Sequence, residues 1–127
     1  MYEYDARIIR WVDGDTLWLT AWREEKLDLG FRNRLFLRHE HDLECRVYGV
    51  DTPEDSAGKP ATAAVNGWAP AGSDVKIETF KPLSEDKYGR WIADIKLADG
   101  RNISVELLNH KLAVPYFGGT KAKTVQA

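Results

Sequence analysis

The chain has 127 residues, 43% of them apolar and 11% aromatic, enough bulky material for one hydrophobic core without disulfide or metal staples and too much for a disordered chain. No run reaches the roughly 18 apolar residues of a membrane span, and Met1-Tyr2-Glu3-Tyr4-Asp5 has neither a basic start nor an apolar stretch, so no signal peptide is visible and the cytoplasm is the default location, with secretion of a processed form left open. Lys and Arg number 18 against 20 Asp and Glu, a net charge of −2 that lacks the strongly basic balance of a typical nucleic-acid binder, and the lone Cys45 excludes an intramolecular disulfide and a cysteine-built zinc site.

Residues 6–12 and 16–22 are rich in branched and aromatic side chains and flank Asp13-Gly14-Asp15, which predicts two strands and a hairpin turn. Segment 23–34 is charged and reads as a connection, an arm that could extend the strands, contact nucleic acid or mediate self-association. Residues 35–38 and 43–50 read as extended, the second ending at Gly49-Val50 before Asp51-Thr52-Pro53-Glu54. Pro53 fixes its own φ and biases Thr52 toward extended backbone, which holds the carboxylates at 51 and 54 on a stiff turn. Strict alternation would place Arg46, Tyr48 and Val50 on one face and Asp51 on the other, so bringing Arg46 to Asp51 requires a break near Gly49.

Pro60 ahead of Ala61-Thr62-Ala63-Ala64 predicts a helix at 60–68, closed by Pro70 and Gly72. Alternation in 74–80 puts Val75, Ile77 and Thr79 on one face, and in 90–97 it groups Trp91, Ala93, Ile95 and Leu97. Ser104 is a suitable cap for a helix at 105–111 with Val105, Leu108 and Leu112 at helical spacing. The tail 118–127 has no periodicity. Five or so short strands, with one helix among them and one near the end, predict a β-dominated α+β fold: a five-stranded Greek-key barrel of the OB type, as one domain over 1–127.

Single loop carboxylates are ordinary turn chemistry. Two acidic loops leaving strands of one sheet can instead supply oxygens to a hard cation such as calcium, while the planar forks of Arg46 and Arg90 suit a phosphate held against it. Metal, carboxylate base and two arginines outline a phosphodiesterase site. His39 and His41 have the spacing of a metal pair on a strand but read better as polar edge residues, and Cys45 reads as a packed thiol.

The segments Val12-Asp13-Gly14-Asp15-Thr16, Arg46-Val47-Tyr48-Gly49-Val50-Asp51-Thr52-Pro53-Glu54, Asp86-Lys87-Tyr88-Gly89-Arg90 and Leu107-Leu108 through Leu112-Ala113 occur in the order found in the staphylococcal nuclease (thermonuclease) family, which this chain resembles over roughly residues 6–117. The resemblance implies an OB barrel and a calcium-dependent nuclease acting on DNA and RNA, cutting the 5′ P–O bond to leave 3′-phosphate ends. It implies that Asp15, Asp51 and the Thr52 carbonyl ligate calcium (Ca2+), that Glu54 is the general base, and that Arg46 and Arg90 hold the phosphate and the charge that develops on it. Lys87, Tyr88 and Tyr116 would contact the nucleotide, and no membrane partner is implied. A non-catalytic OB module that binds nucleic acid or protein is the alternative.

Four features depart from the family's pattern, the first being Val114-Pro115-Tyr116-Phe117-Gly118-Gly119, which leaves only Tyr116 where two tyrosines would be expected. Residues 22–42 form a longer connection, for which self-association is one use. Lys111 stands where the family has a glycine after the helix, which predicts a strained or altered cap. The chain stops where the long C-terminal helix of the family would run.

Overall fold

A computed structural model describes residues 1–83 and 90–117 of the chain. It contains β1 (Tyr2–Trp11), β2 (Thr16–Gly30), β3 (Asn33–Val47), β4 (Gly49–Asp51), a 3₁₀ turn (Asp55–Gly58), α1 (Lys59–Trp68), β5 (Asp74–Thr79), β6 (Trp91–Leu97), α2 (Ile103–Asn109) and β7 (Val114–Tyr116). Strands β1, β2, β3, β6 and β5 close in that order into a barrel, while β4 and β7 form a separate antiparallel pair. All barrel neighbours are antiparallel except β3 and β6, which run parallel from Cys45 opposite Trp91 to Val47 opposite Ala93. That order is the five-stranded OB arrangement expected from the sequence.

Alternation dictates the core. Leu17, Leu19 and Ala21 of β2 point inward with Leu43, Cys45 and Val47 of β3, Val75 and Ile77 of β5, and Ala93 and Ile95 of β6, all buried. Strand β1 changes phase: Ala6 and Ile8 face inward, the register shifts between Ile8 and Arg10, and Trp11 then takes the buried position. The Trp11 indole donates from Nε1 to the Ala69 carbonyl at 2.8 Å, tying the end of α1 to the barrel. Helix α1 buries Ala61 and Val65, with Pro60 in its first turn as the sequence predicts.

Several boundaries differ from expectation. Strand β1 begins at residue 2. The charged segment 23–34 extends the strands, one of the uses open to it, rather than forming a loop: β2 runs to Gly30, β3 starts at Asn33, and only Phe31 and Arg32 turn the chain, both with positive φ (52° and 63°). Extended segment 43–50 breaks at Tyr48, after which Gly49 adopts φ of 87° and β4 begins. Helix α2 is capped not by Ser104 but by Asn102, whose side chain accepts from the Val105 N–H, and its buried face is Ile103, Ser104 and Leu107, with Val105 exposed. The Ser104 hydroxyl is diverted to the Tyr48 carbonyl at 2.6 Å, which anchors α2 to the break between β3 and β4. At the helix end the Leu112 N–H reaches the Leu107 carbonyl and the Lys111 N–H the Leu108 carbonyl, a Schellman turn with Lys111 at φ 58°. The strained cap expected from the missing glycine is therefore present.

Candidate active site

The site forms where β2 begins and β3 ends. Thr16 lies opposite Arg46 in the antiparallel ladder, so the Asp13-Gly14-Asp15 bend and the chain after Arg46 emerge side by side. The Val47 N–H donates to the Asp15 carbonyl at 2.8 Å, which fixes the two segments together. Gly14 is required by close approach: a β-carbon there would sit 2.7 Å from the Ala61 Cβ and 2.9 Å from the Thr52 Cγ2. Any larger residue would push α1 or the Asp51-Thr52 segment away. Gly58 is more tightly constrained, since a β-carbon would come 2.2 Å from the Pro53 carbonyl oxygen, and it holds the loop that carries Glu54.

Asp15 is buried at 4% exposure. Its Oδ1 accepts from the Thr16 hydroxyl at 3.0 Å and its Oδ2 from the Thr52 N–H at 3.0 Å, with Arg46 Nη1 at 3.5 Å. The same guanidinium donates from Nη2 to Asp51 Oδ1 at 2.9 Å and to the Val50 carbonyl at 3.2 Å. One arginine thus stands between two carboxylates from different loops. The break at Tyr48 and Gly49 makes this possible, because it turns Asp51 back onto the face Arg46 occupies. Burial pushes the Asp15 carboxyl up, but its hydrogen bond with Asp13, the Thr52 N–H, the Arg46 charge and the Thr16 hydroxyl together hold it below the usual carboxylate range. Asp13 moves the other way: burial and the neighbouring Asp15 carboxylate raise it, while its Oδ1 accepts from the Asp15 N–H.

Beside this network lies an open cleft of about 320 Å³ that both Arg46 and Arg90 line, with Asp51, Tyr48, Tyr116 and Phe117. Arg46 sits 4.9 Å over the Tyr116 ring, a cation–π contact delivered by the β4–β7 pairing, in which Tyr116 lies opposite Gly49. Tyr48 packs edge-on against Phe80 and Phe117, with centroids at 5.1 and 5.6 Å. The structure therefore brings Asp15, Arg46 and Asp51 into contact and Arg90 and Tyr116 to the same cleft. Thr52 is buried behind them. Glu54 is exposed at the start of the 3₁₀ turn and does not line that cleft. Lys87 and Tyr88 lie outside the described residues. Sequence reading missed the aromatic wall of Tyr48 and Phe117. Tyr48 alternates with Arg46, which was the available signal, whereas Phe117 reaches the site only through the β4–β7 pair.

Among the described residues no three His, Cys, Asp or Glu side chains converge as a ready-made metal cage. The donor set present is nonetheless hard oxygen, as calcium or magnesium prefers, with the Arg46 guanidinium set between the two carboxylates. By donor type these oxygens suit a hard cation, whose remaining ligands would be carbonyls and water. No helix among the described residues is long and apolar enough to cross a membrane.

Residues 44–126 match the family model described as "Staphylococcal nuclease homologue". Over 81 residues the chain is 32% identical to a protein named "Probable endonuclease LCL3" from Eremothecium gossypii, the match covering 58% of this chain and 29% of that protein. The chain thus spans under a third of that relative's length.

Proposed function

The chain belongs to the family of staphylococcal nuclease homologues, and from that premise we propose that it is a calcium-dependent nuclease hydrolysing DNA and RNA phosphodiesters, with residues 1–127 as one nuclease-like domain. The observation that carries this reading is the Arg46 guanidinium set between Asp15 and Asp51 at the edge of a cleft that Arg90 shares.

In this reading Asp15, Asp51 and the Thr52 carbonyl would hold calcium, which when bound would supply positive charge to the phosphoryl oxygens and lower the proton affinity of nearby water. Glu54 accepts the proton of the attacking water as its oxygen bonds to phosphorus. Arg46 leaves one of its carboxylate contacts for a phosphate oxygen, offering a planar donor fork to charge that grows in the transition state. Arg90 offsets charge on the departing 5′ oxygen as the P–O5′ bond breaks, leaving a 3′-phosphate and, after protonation by solvent, a 5′-hydroxyl. Lys87, Tyr88 and Tyr116 contact the nucleotide, Tyr116 by stacking beside Arg46. Phosphate and sugar contacts dominate, so sequence selectivity is low. Self-association through residues 22–42 is supported by the exposed apolar side chains there.

The test is digestion of plasmid DNA and of a short RNA with calcium, with a calcium chelator, and by Glu54→Gln. Cleavage that requires calcium and falls in the variant is expected, with 3′-phosphate products. Equal cleavage in all three arms sinks the calcium-and-base reading, and binding of nucleic acid without any cleavage moves the assignment to a non-catalytic module. Calcium titration with a non-hydrolysable nucleotide, lost in Asp51→Asn, reads the metal site separately from turnover.

A further inference from the structure

Beyond Ala21, paired with Ala6, strand β2 loses its β1 neighbour, and β3 meets β6 only from Cys45 onward. Between those points residues 22–30 and 33–40 pair solely with each other among the described residues, projecting from the barrel as a two-stranded ribbon. Two-stranded ribbons are marginal in water, and three or more strands are needed for independent stability. The ribbon also exposes apolar side chains: Leu35 at 44%, Phe36 at 64%, Leu29 at 61% and Phe31 at 97%.

Its two edges differ. The β2 edge carries a bulge at its tip, since Asp28 lies opposite Arg34 and Gly30 opposite Asn33 with Leu29 left over, and a bulge there blunts that end of the edge against further pairing. The β3 edge is regular from Asn33 onward and, among the described residues, is an open row of backbone donors and acceptors until β6 joins at Cys45. Its sequence is Asn33-Arg34-Leu35-Phe36-Leu37-Arg38-His39-Glu40-His41. An antiparallel pair of these edges about a two-fold axis at Leu37 sets Arg34 against Glu40 and Phe36 against Arg38, each twice, and Leu37 against itself. Moving the axis to Phe36 opposes Arg34 and Arg38. An axis at Arg38 opposes that residue to its own copy, and one at His39 runs Asn33 into Cys45, where β6 already pairs. A single register is both charge-complementary and sterically open.

We propose that the chain forms a two-fold dimer in which the β3 edges of two ribbons pair antiparallel across Leu37, making a continuous four-stranded sheet. Local chemistry on the outer face supports it. Arg38 already stacks over Trp22 at 4.6 Å, and the Trp22 indole donates to Glu40 at 3.1 Å. These contacts hold Arg38 and Glu40 in place for Phe36 and Arg34 of the second copy. Leu37 and Leu35 extend the opposite face. Isologous pairing of this kind closes on itself and leaves the bulged β2 edges outermost.

Charge reversal tests the register on the full chain, read by sedimentation over a range of protein concentration. Glu40→Arg and Arg34→Glu each oppose like charges twice and should weaken the dimer about tenfold. The double variant R34E/E40R should restore it, and an equimolar mixture of the two single variants should form a heterodimer. Leu37→Cys should give a covalent dimer on mild oxidation, because facing residues lie at disulfide-compatible separation, and Leu35→Cys should not. Buried Cys45, its thiol pushed up to about 12 by burial, stays out of that exchange. A wild-type chain that is monomeric throughout, single variants that associate like wild type, or covalent dimers with Leu35→Cys but not Leu37→Cys would each overturn the proposal. So would a pattern in which Arg34→Glu weakens and Glu40→Arg strengthens DNA binding with no rescue on mixing, which would make the ribbon a nucleic-acid arm.

Discussion

Strands β2 and β3 are one hairpin with two different ends. Near Thr16 and Arg46 the hairpin is a barrel wall, with Leu17, Leu19 and Cys45 fully buried and a charged network packed into the bend above them. Near Gly30 and Asn33 it is a ribbon whose side chains lie in water. The two ends are separated by 14 residues of β2, roughly 45 Å at about 3.3 Å per residue. Secondary structure is the same throughout, so the difference comes from neighbours: β1 and β6 cover one half and are absent from the other. Burial makes the first half sensitive to single atoms and allows carboxylates to be held in fixed relation. Exposure frees the second half to vary in sequence and to take a partner.

The largest contrast expected is in turnover. Arg46→Ala should lower the cleavage rate by about 10²–10³, or about 3–4 kcal/mol of transition-state stabilisation, the scale of losing one fixed donor to a developing oxyanion. Arg46→Lys should recover little, because an ammonium cannot span two oxygens as the fork does. Arg32→Ala, at the far turn, should leave the rate on a short oligonucleotide unchanged. Equal losses from both ends would mean that the substrate runs the length of the hairpin.

Stability should divide the same way. Leu19→Ala removes a fully buried side chain opposite Ile8 and Leu43 and should cost roughly 2–5 kcal/mol in urea melts, whereas Leu35→Ala should stay within about 0.5 kcal/mol in the monomer. A large effect at Leu35 would show that the ribbon is part of the cooperative unit.

This division also explains what the sequence could tell. The barrel was legible because Val75, Ile77 and Thr79, or Trp91, Ala93, Ile95 and Leu97, alternate against a core that tolerates nothing else. The ribbon was not, since Arg23-Glu24-Glu25-Lys26-Leu27-Asp28 has no buried face to betray a period of two, and Phe31-Arg32 is not a turn-forming pair. The start of α2 misled for another reason: Ser104 suits a cap, but tertiary contact with the Tyr48 carbonyl claims its hydroxyl, and Asn102 serves instead. In the site, residue types and order pointed to Asp15, Arg46 and Asp51 together. Their meeting depends on the break that alternation required near Gly49, whose form, a positive φ at that glycine, only the structure supplies. The position of Glu54 outside the arginine-lined cleft was likewise invisible to motif reading.

Acid should weaken the site end first. Asp15 is held below the ordinary carboxylate range, so in the folded chain it stays charged when its unfolded counterpart is already protonated. Its contribution is present in full above the unfolded value and is lost as pH falls through the lowered folded value, below about pH 4. Asp13, raised, contributes with the opposite sign and in the window above the unfolded value, stabilising as pH falls toward it. Asp15→Asn should therefore flatten the acid limb of stability against pH, measured by urea melts. An unchanged limb would place acid sensitivity elsewhere.

The smallest effect expected compares two strained turns. Lys111, at φ 58° in the Schellman turn, and Phe31 and Arg32, at φ 52° and 63° in the hairpin turn, all hold a left-handed backbone that glycine adopts freely. Lys111→Gly relieves strain in a helix whose Ile103 and Leu107 belong to the core. Part of the gain is offset by the greater freedom of glycine in the unfolded chain, leaving about 0.5–1 kcal/mol, or a rise of about 2–4 °C in Tm. Replacing Phe31-Arg32 by Asn-Gly relieves two strained residues and should change the global Tm less, since a ribbon that opens locally contributes little to the cooperative transition. Its effect should instead appear as slower amide exchange confined to residues 24–38. If the hairpin change raised Tm as much as Lys111→Gly, the ribbon and the barrel would melt as one.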